Sequence, residues 1–198
     1  MIVPEDLLFK YGALLKNYSA GKIIFRKGDC CDEYYQIQEG TVQLSNSYPN
    51  GKEFVHGFPF SGHCFGESYL YNSKPFPIDA VALKKSSIII LSKAAFLNLV
   101  NDHPDVLQSI MRYTADRLHF KYIICSFLAI SDPLEKIQKL LDHIKIYFGY
   151  TEQYSFRVPY TRSQMAHITG MRIETVIRVV KKMHNLELLK IDSGKIYY

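Results

Sequence analysis

The sequence has little of several features that mark particular classes of protein. Only four of its 198 residues are cysteine, at positions 30, 31, 64 and 125, and none of them form the C-x-x-C spacing of a metal site. No apolar run approaches the roughly 18 residues that a transmembrane helix needs, and residues 1–22 lack the pattern of a signal peptide. These absences predict a cytoplasmic protein with no membrane partner, whose thiols are reduced apolar fillers or redox sensors.

The charge of the chain is distributed unevenly. Residues 1–132 hold 13 Lys/Arg and 13 Asp/Glu, whereas residues 133–198 hold 11 and 6, so the whole net charge of +5 lies in the last third. A basic excess confined to one third of a chain predicts a polyanionic partner for that part of the protein.

Residues 161–183 predict two short helices joined by a tight turn. Thr161 is a good N-cap residue, and Gly170 can take the left-handed conformation that ends a helix. The second helix carries an apolar stripe, with the polar side chains on its other sides. The stripe is Val176, Val179, Val180 and Met183, and the polar set is Arg172, Glu174, Thr175, Arg178, Lys181 and Lys182. The pattern fits a helix-turn-helix that reads a major groove, or an amphipathic hairpin with a solvated basic face.

The first hundred residues change their hydrophobic period. Residues 4–17 predict a helix whose apolar side is Leu7, Leu8, Tyr11, Leu14 and Leu15. Short runs rich in β-branched and aromatic residues follow, and glycines at 28, 40, 51 and 62 recur every 11 or 12 residues, which is typical of an antiparallel roll. The predicted strands are residues 22–26, 34–38, 41–46, 53–58, 78–82 and 87–91, with Asn50-Gly51 as the strongest hairpin signal.

Helical periodicity returns at residues 93–101 and continues in a long helix over residues 104–130. Two apolar heptad rows run along the long helix. One row is Val106, Ile110, Tyr113, Arg117, Phe120, Ile124 and Phe127, and the other is Leu107, Met111, Thr114, Leu118, Lys121, Cys125 and Leu128. Because such a helix can pack on its own roll and on a second copy of itself, we expect the second row to form a homodimer interface. One broad face packed inside a single protomer is the alternative.

Ser131-Asp132-Pro133 should end the long helix and form a hinge, because the residue before proline avoids the helical region. Residues 134–147 then predict a helix, residues 155–158 a strand, and residues 188–198 a terminal hairpin. A helix-turn-helix followed by a β-ribbon is a winged helix. The expected fold class is α+β, with a sensing β-roll at 1–103, a dimerisation helix and hinge at 104–132, and a winged-helix domain at 133–198.

In this order the parts resemble the family of the cyclic-AMP receptor protein and the fumarate-nitrate regulator, the Crp/Fnr family, over residues 5–198. The resemblance rests on the glycine-spaced roll, Phe65-Gly66-Glu67, the long helix, the hinge, and the run from Ile173 to Arg178 that follows Gly170. It implies a homodimeric transcription regulator with a jelly-roll domain of the cyclic-nucleotide-binding type. It also implies two macromolecular partners, a palindromic double-stranded DNA operator and RNA polymerase, the latter reached by the loop ahead of the winged helix.

The resemblance assigns roles to individual residues. Glu174 and Arg178 fall on the family's base-reading positions, and Ile173 stands where the cyclic-AMP receptor has arginine and the fumarate-nitrate regulator has valine. A carboxylate accepts from cytosine N4, a guanidinium donates to guanine O6 and N7, and isoleucine can contact a thymine methyl. The expected DNA-backbone contacts are Thr161, Ser163, Arg172, Thr175, Lys181 and Lys182, with Lys195 in the wing as a further candidate.

The effector pocket departs from the family pattern. Members that bind cyclic AMP neutralise its phosphate with an Arg-Ser pair, and those positions fall here on Pro77 and Ile78. The hydroxyl pair that contacts adenine falls on Lys121 and Tyr122. A buried phosphate without its counter-charge costs several kcal/mol, so a cyclic nucleotide is not expected. The expected pocket residues are Gly66, Glu67, Ser68, Pro77, Ile78, Lys121 and Tyr122, and the choice lies between an unidentified effector and constitutive DNA binding.

Two other classes of function fit the sequence less well. A metalloenzyme of the cupin type needs closely spaced histidines, and His56, His63 and Glu67 are too sparse for such a site. No catalytic triad, phosphate loop or carboxylate pair stands out, and the cysteines lack the spacing of an iron–sulfur site, so we expect no enzyme and no metal. A winged-helix module that binds other proteins is the second alternative.

Overall fold

The computed structural model describes residues 1–49 and 53–198, apart from the side chain of Leu128. The chain separates into two compact units, residues 1–119 and residues 120–198. The boundary between the units falls within the long helix, ahead of the hinge expected at Ser131 to Pro133. Among the described residues, no helix has the length and apolar character needed to cross a membrane.

The first unit is a roll of two antiparallel four-stranded sheets. Their orders are β1-β8-β3-β6 and β2-β7-β4-β5. The strands are β1 (Leu14–Tyr18), β2 (Ile23–Phe25), β3 (Glu33–Glu39), β4 (Val42–Ser47), β5 (Glu53–Gly57), β6 (Cys64–Phe65), β7 (Asp79–Ala82) and β8 (Ser86–Ser92). The helices are α1 (Glu5–Lys10), α2 (Tyr69–Asn72), α3 (Lys93–Asp102) and the start of α4 (Pro104–Ser126). The predicted jelly-roll architecture is confirmed.

The six predicted strands all form, with ends that shift by at most one residue, because alternating β-branched and aromatic side chains fill the interior of the roll. The β6 strand and the short α2 helix were not predicted, since two and four residues are too few to show a period. The Asn50-Gly51 hairpin prediction lies outside the described residues. The strands that flank it pair antiparallel, with Ser47 opposite Glu53.

The prediction of one helix over residues 4–17 is wrong. The helix α1 ends at Lys10, and Gly12 follows with φ of 89°, a left-handed conformation that turns the chain. Leu14 and Leu15 then lie in β1, which pairs along its whole length with β8. The helical spacing of Leu14 and Leu15 was misleading, because both residues belong to an edge strand of a sheet, where Leu14 is 73% exposed.

The long helix has the two distinct rows that the sequence predicts. Val106, Ile110 and Tyr113 belong to the buried core of the roll, and Ile124 and Phe127 are buried in the second unit. The other row is only partly open: Met111 is 61% and Leu118 49% exposed, whereas Leu107 packs against the core of the roll. The α-helix ends at Ser126, and residues Phe127–Ala129 form a 3-10 turn where the prediction continued the helix to residue 130.

The second unit is a winged helix. It contains the end of α4, then α5 (Pro133–Tyr147), α6 (Arg162–Thr169), α7 (Ile173–Asn185), β9 (Lys190–Asp192) and β10 (Lys195–Tyr197). Asp132 caps α5 by accepting hydrogen bonds from the amides of Leu134 and Glu135. The predicted strand at residues 155–158 is reduced to a single bridge between Arg157 and Tyr197, because Pro159 follows at once and donates no amide.

Candidate functional site

The two helices of the helix-turn-helix are fixed by local chemistry. Thr161 accepts a hydrogen bond from the Gln164 amide at 3.1 Å, and the Gln164 side chain accepts one from the Thr161 amide at 2.8 Å. This capping box satisfies two amides at the start of α6. Gly170 ends α6 with φ of 67°, and the Met171 amide then bonds back to the Ala166 carbonyl. The predicted N-cap and glycine turn are confirmed.

The helix α7 divides into a buried and an exposed side. Val176, Val179, Val180 and Met183 are buried, as predicted from their spacing. These four side chains pack on α5 and α6, whose own buried residues include Leu140, Leu141, Met165 and Ile168. Because the apolar stripe is fully used inside the unit, the polar side of α7 is left for a partner.

Glu174 and Arg178 lie four residues apart on the exposed side of α7, so their side chains are neighbours on one face. Neither has a hydrogen-bond or ion-pair partner within the part of the chain that the structure describes, so the carboxylate and the guanidinium are both available. Ile173, at the first position of α7, is 37% exposed. Ile177, one turn further, is 47% exposed, and the sequence analysis did not include it in the site. The exposed spacing from Ile173 was the signal that could have identified it.

The predicted backbone-contacting residues are spread around this face. Arg172 immediately precedes α7, and Lys181 and Lys182 are exposed in its second half. Thr175 and Ser163 are half-buried, and Thr161 is exposed but engaged as the N-cap of α6. The structure therefore places all six on the helix-turn-helix.

The wing is a tight hairpin next to α6. Ser193 and Gly194 connect β9 to β10, and both have positive φ, at 46° and 77°, as a type I′ turn requires. The Arg162 guanidinium donates a hydrogen bond to the Gly194 carbonyl at 3.0 Å. The first helix of the pair is thereby joined directly to the wing, a contact that the sequence analysis missed.

In the roll, Glu67 lies at the end of the Phe65-Gly66-Glu67 motif and is only 2% exposed. Its two carboxylate oxygens each accept a hydrogen bond from Arg117 Nη1 at 3.1 Å, and Thr114 donates to Oε1 at 3.1 Å. Burial acts to lower the pKa of Arg117, but the charge and hydrogen bond of Glu67, together with Tyr113 and Cys64, raise it overall. The sequence analysis placed Arg117 in an apolar row, where a lone cation should have indicated a buried acidic partner.

Aromatic rings fill the interior beside this motif. Phe25 and Phe76 stack with centroids 3.7 Å apart, and Phe65 and Tyr35 pack around Phe25. A Cβ added at Gly66, whose φ is 76°, would meet Phe76 Cε1 at 2.9 Å. Glycine is required there by both the backbone conformation and the space.

Pro77 and Ile78, which stand at the positions of the family's Arg-Ser pair, carry no positive charge. The Pro77 carbonyl accepts a hydrogen bond from the Asn46 side chain at 2.7 Å, and Ile78 is half-buried. Asp79 accepts a hydrogen bond from the Lys27 amide at 2.8 Å. Ser68 is exposed beside Glu67, whereas Lys121 and Tyr122 belong to the second compact unit, so the full pocket expected from the sequence stays a prediction.

Several titratable groups of the roll are shifted toward their neutral forms. Burial, with a smaller contribution from Arg117 and the N-terminus, lowers the pKa of His63 to about 4. Burial raises the pKa of the Cys31 thiol to about 11. Cys64 is also buried, and its pKa is raised mainly for the same reason. Among the described residues, no group of three or more His, Cys, Asp or Glu side chains is placed to hold a metal ion.

Two family models match the two halves of this architecture. The cyclic nucleotide-binding domain matches residues 15–103, and the Crp-like helix-turn-helix domain matches residues 136–197. The combination defines a DNA-binding transcription regulator with an N-terminal domain of the cyclic-nucleotide-binding type.

Curated relatives agree with this class. The transcriptional activator protein Anr of Pseudomonas protegens is 23% identical over 195 residues, which cover 97% of this chain and 78% of that protein. The CRP-like cAMP-activated global transcriptional regulator of Mycobacterium tuberculosis is 24% identical over 182 residues, covering 91% of this chain and 81% of that protein. The chain belongs to the Crp/Fnr family of transcription regulators.

Solved structures show the same fold. The c-di-GMP-responsive global regulator CLP of Xanthomonas campestris has a TM-score of 0.78 at 21% identity, with 98% of both chains covered. A CooA mutant from Carboxydothermus hydrogenoformans has a TM-score of 0.83 at 16% identity, covering 98% of this chain and 85% of that one.

Proposed function

We propose that the protein is a cytoplasmic, homodimeric regulator that reads a palindromic operator with α7. The observation that carries the proposal is the exposed face of α7, on which Glu174 and Arg178 are neighbours without partners in the described chain. Glu174 accepts from a cytosine N4, Arg178 donates to O6 and N7 of a guanine, and Ile173 contacts a thymine methyl. Each good base contact of this kind is worth about 1–3 kcal/mol of discrimination.

The contacts with the DNA backbone come from the surrounding positive and hydroxyl groups. Arg172, Lys181 and Lys182 supply charge beside the reading face, and Thr161, Ser163 and Thr175 supply hydroxyls. Phosphate contacts of this kind fix the register of a protein on the duplex and make its affinity depend on salt.

The dimer forms through the exposed row of α4. Met111 and Leu118 are large apolar side chains that lie one heptad apart and stay exposed in the protomer. Cys125 continues the row at the next heptad and is also exposed. Burying these side chains against a second copy removes apolar surface from water, at roughly 25 cal/mol per Å². Two copies related by a two-fold axis would place their reading helices one helical turn of DNA apart, about 34 Å.

Selection of bound duplexes from a random pool tests the DNA proposal. We expect a two-fold symmetric motif whose half-site centres lie one helical turn apart. A pool without an enriched motif, or an enriched motif with no symmetry, would contradict it. A protein-interaction module, the alternative reading of the winged helix, would show no sequence preference in the same experiment.

A cyclic nucleotide is not the proposed effector. The cyclic phosphate of such a ligand would face Pro77 and Ile78, and the Pro77 carbonyl is oriented by Asn46. The Glu67 carboxylate, which the family uses to accept from a ribose hydroxyl, already accepts from Arg117 and Thr114. Titration calorimetry with cyclic AMP at millimolar concentration should therefore give no heat of specific binding, and saturable binding would contradict the proposal.

The Glu67–Arg117 pair favours a second candidate, an effector-independent regulator. In this version the roll is joined to α4 by its own charged side chains, so no ligand is needed to make that connection. Purified protein free of small molecules should then bind the selected operator at full affinity. If the small molecules of a filtered cell extract raise the affinity of the purified protein for the operator, the unidentified effector is favoured instead.

A further inference from the structure

Ile177 is a large apolar residue that the fold of its unit does not use. It is 47% exposed, whereas the four residues of the apolar stripe of α7 are at most 7% exposed. A single exposed isoleucine needs no explanation, but Ile177 lies one turn after Ile173, which is 37% exposed. Two isoleucines at this spacing are neighbours on a helix surface, so together they form an apolar strip in water.

The strip lies within the face of α7 that carries the proposed base contacts. Because successive residues of an α-helix turn by about 100°, Ile177 lies about 40° from Ile173 and about 60° from Glu174 around the helix axis. Arg178 follows Ile177 directly, and both Glu174 and Arg178 are exposed. A partner that covers Glu174 and Arg178 therefore covers Ile177 as well.

The chemistry of Ile177 limits what it can recognise in a major groove. Its side chain has no hydrogen-bond donor or acceptor, so a polar base edge placed against it would lose water without gaining a hydrogen bond. The apolar group that the major groove presents is the methyl group on C5 of thymine. Cytosine carries a hydrogen at the same ring position and presents the same methyl group when it is 5-methylated.

We propose that Ile177 determines specificity by contacting the C5-methyl group of a pyrimidine, at or beside the cytosine that Glu174 reads. On the cytosine ring, C5 is bonded to the carbon that bears N4, so a methyl group there is adjacent to the atom that Glu174 contacts. The inference rests on the proposed function, since it adds an apolar base contact to the same helix. A contact of this kind adds sequence preference and leaves the salt dependence of binding unchanged.

The test compares the full-length wild type with Ile177→Ala on the selected operator. Each thymine is replaced in turn by deoxyuridine, which removes only the methyl group, and each cytosine by 5-methylcytosine, which adds one. In the wild type we expect one position, separate from the one that Ile173 contacts, where the methyl group strengthens binding about fourfold per half-site and about 15-fold for both. Ile177→Ala should lose this dependence at that position and keep the dependence due to Ile173.

Ile146→Ala is the matched control. It makes the same substitution at an isoleucine of α5 that is 74% exposed and lies outside the helix-turn-helix, so it should respond to every modified operator as the wild type does. Alanine has a higher helix propensity than isoleucine, and neither residue is buried, so both variants should fold.

The outcomes separate the proposal from the function on which it rests. A response to deoxyuridine assigns the methyl group to thymine, and a response to 5-methylcytosine assigns it to methylated DNA. Identical responses of Ile177→Ala and the wild type at every position would overturn the proposal and leave the regulator intact, as would an affinity loss in Ile177→Ala that is equal on unrelated duplexes. Wild-type protein without sequence-dependent binding would overturn the proposed function as well.

Discussion

Arg117 Nη1 lies 3.1 Å from both carboxylate oxygens of Glu67, across 50 residues of sequence. The Glu67 side chain is 2% exposed and that of Arg117 is 28% exposed, so the pair sits at the inner edge of the roll rather than in bulk water. Removing one partner of such a pair leaves an uncompensated buried charge, which is far more costly than the loss of a surface ion pair.

Replacing Arg117 should therefore destabilise the roll strongly. We expect Arg117→Met to lower the free energy of unfolding by about 3 kcal/mol, measured by urea denaturation. The double variant Arg117→Met, Glu67→Gln should lose less than the sum of the two single changes, because it no longer buries a lone charge. Glu135→Gln, which breaks the exposed pair with Lys139, should change stability by less than about 0.5 kcal/mol. Additive single effects would show that the two side chains do not interact.

The proposed base contacts predict how Arg178 variants behave. Arg178→Ala should weaken binding to the selected operator by about 1–3 kcal/mol and relax the preference at one position of each half-site. Lys182→Gln should weaken binding to all duplexes alike and lower the salt slope. Competition binding against single-base operator variants measures both effects. An Arg178→Ala protein with full sequence preference would show that α7 is not the reading helix.

The exposed row of α4 predicts a variant that is monomeric. Leu118→Glu places a charge in the centre of the proposed interface, where it would be buried against its own copy, so dimers should dissociate. Sedimentation velocity at micromolar concentration should show one species of twice the chain mass for the wild type and of the chain mass for the variant. Gln108→Glu, an exposed helix position outside the row, should remain dimeric. A wild type that sediments as a monomer contradicts the dimer proposal.

Thiol reactivity provides a second test of the proposed dimer interface on α4. Cys31 and Cys64 are buried, and burial raises the pKa of both thiols, so neither should react with a neutral-pH thiol reagent in the native protein. Cys30 is exposed and should react quickly. Cys125 is exposed in the protomer but lies on the proposed interface, so it should react slowly in the wild type and quickly in Leu118→Glu. Equal rates at Cys125 in the two proteins would place it outside the contact.

The shifted histidine predicts a loss of stability in acid. The folded state lowers the pKa of His63 from 6.5 to about 4, so the folded protein prefers the neutral imidazole. Its contribution is present above pH 6.5 and is lost as the pH falls toward 4, by about 2–3 kcal/mol in total once its partial exposure to solvent is allowed for. His63→Gln cannot take up this proton and should show a flatter dependence of unfolding free energy between pH 7 and 4. Substitution of the exposed His119 serves as the comparison, and identical pH profiles for wild type and His63→Gln would contradict the assignment.

Local patterns predicted most of the fold. The buried stripe of α7, the cap at Thr161 and the turn at Gly170 each depend on residues within one or two helical turns, so their spacing was sufficient. The helix predicted over residues 4–17 does not form for the opposite reason, since the conformation there depends on distant residues. Leu14 and Leu15 have helical spacing, yet their conformation is set by pairing with Ile89 and Ile90 in β8, more than 70 residues away.

The parts of the site that the sequence did not reveal are also long-range. The sequence indicated Glu67 as a ligand-binding residue, but the identity of its partner depends on how α4 crosses the roll. The contact between Arg162 and Gly194 joins positions 32 residues apart, and no periodicity links a helix start to a hairpin turn. Base-reading candidates were easier to find because their role depends on exposure along a single helix.

The division of α7 into two sides has a consequence for how such a regulator can change its targets over generations. Val176, Val180 and Met183 hold the helix in place from within, while Glu174 and Arg178 touch nothing in the described chain that the fold depends on. Substitutions at the outward positions can therefore accumulate at almost no thermodynamic penalty to the protomer. A duplicated copy of the gene could acquire a different operator through one or two such changes while its product still folds.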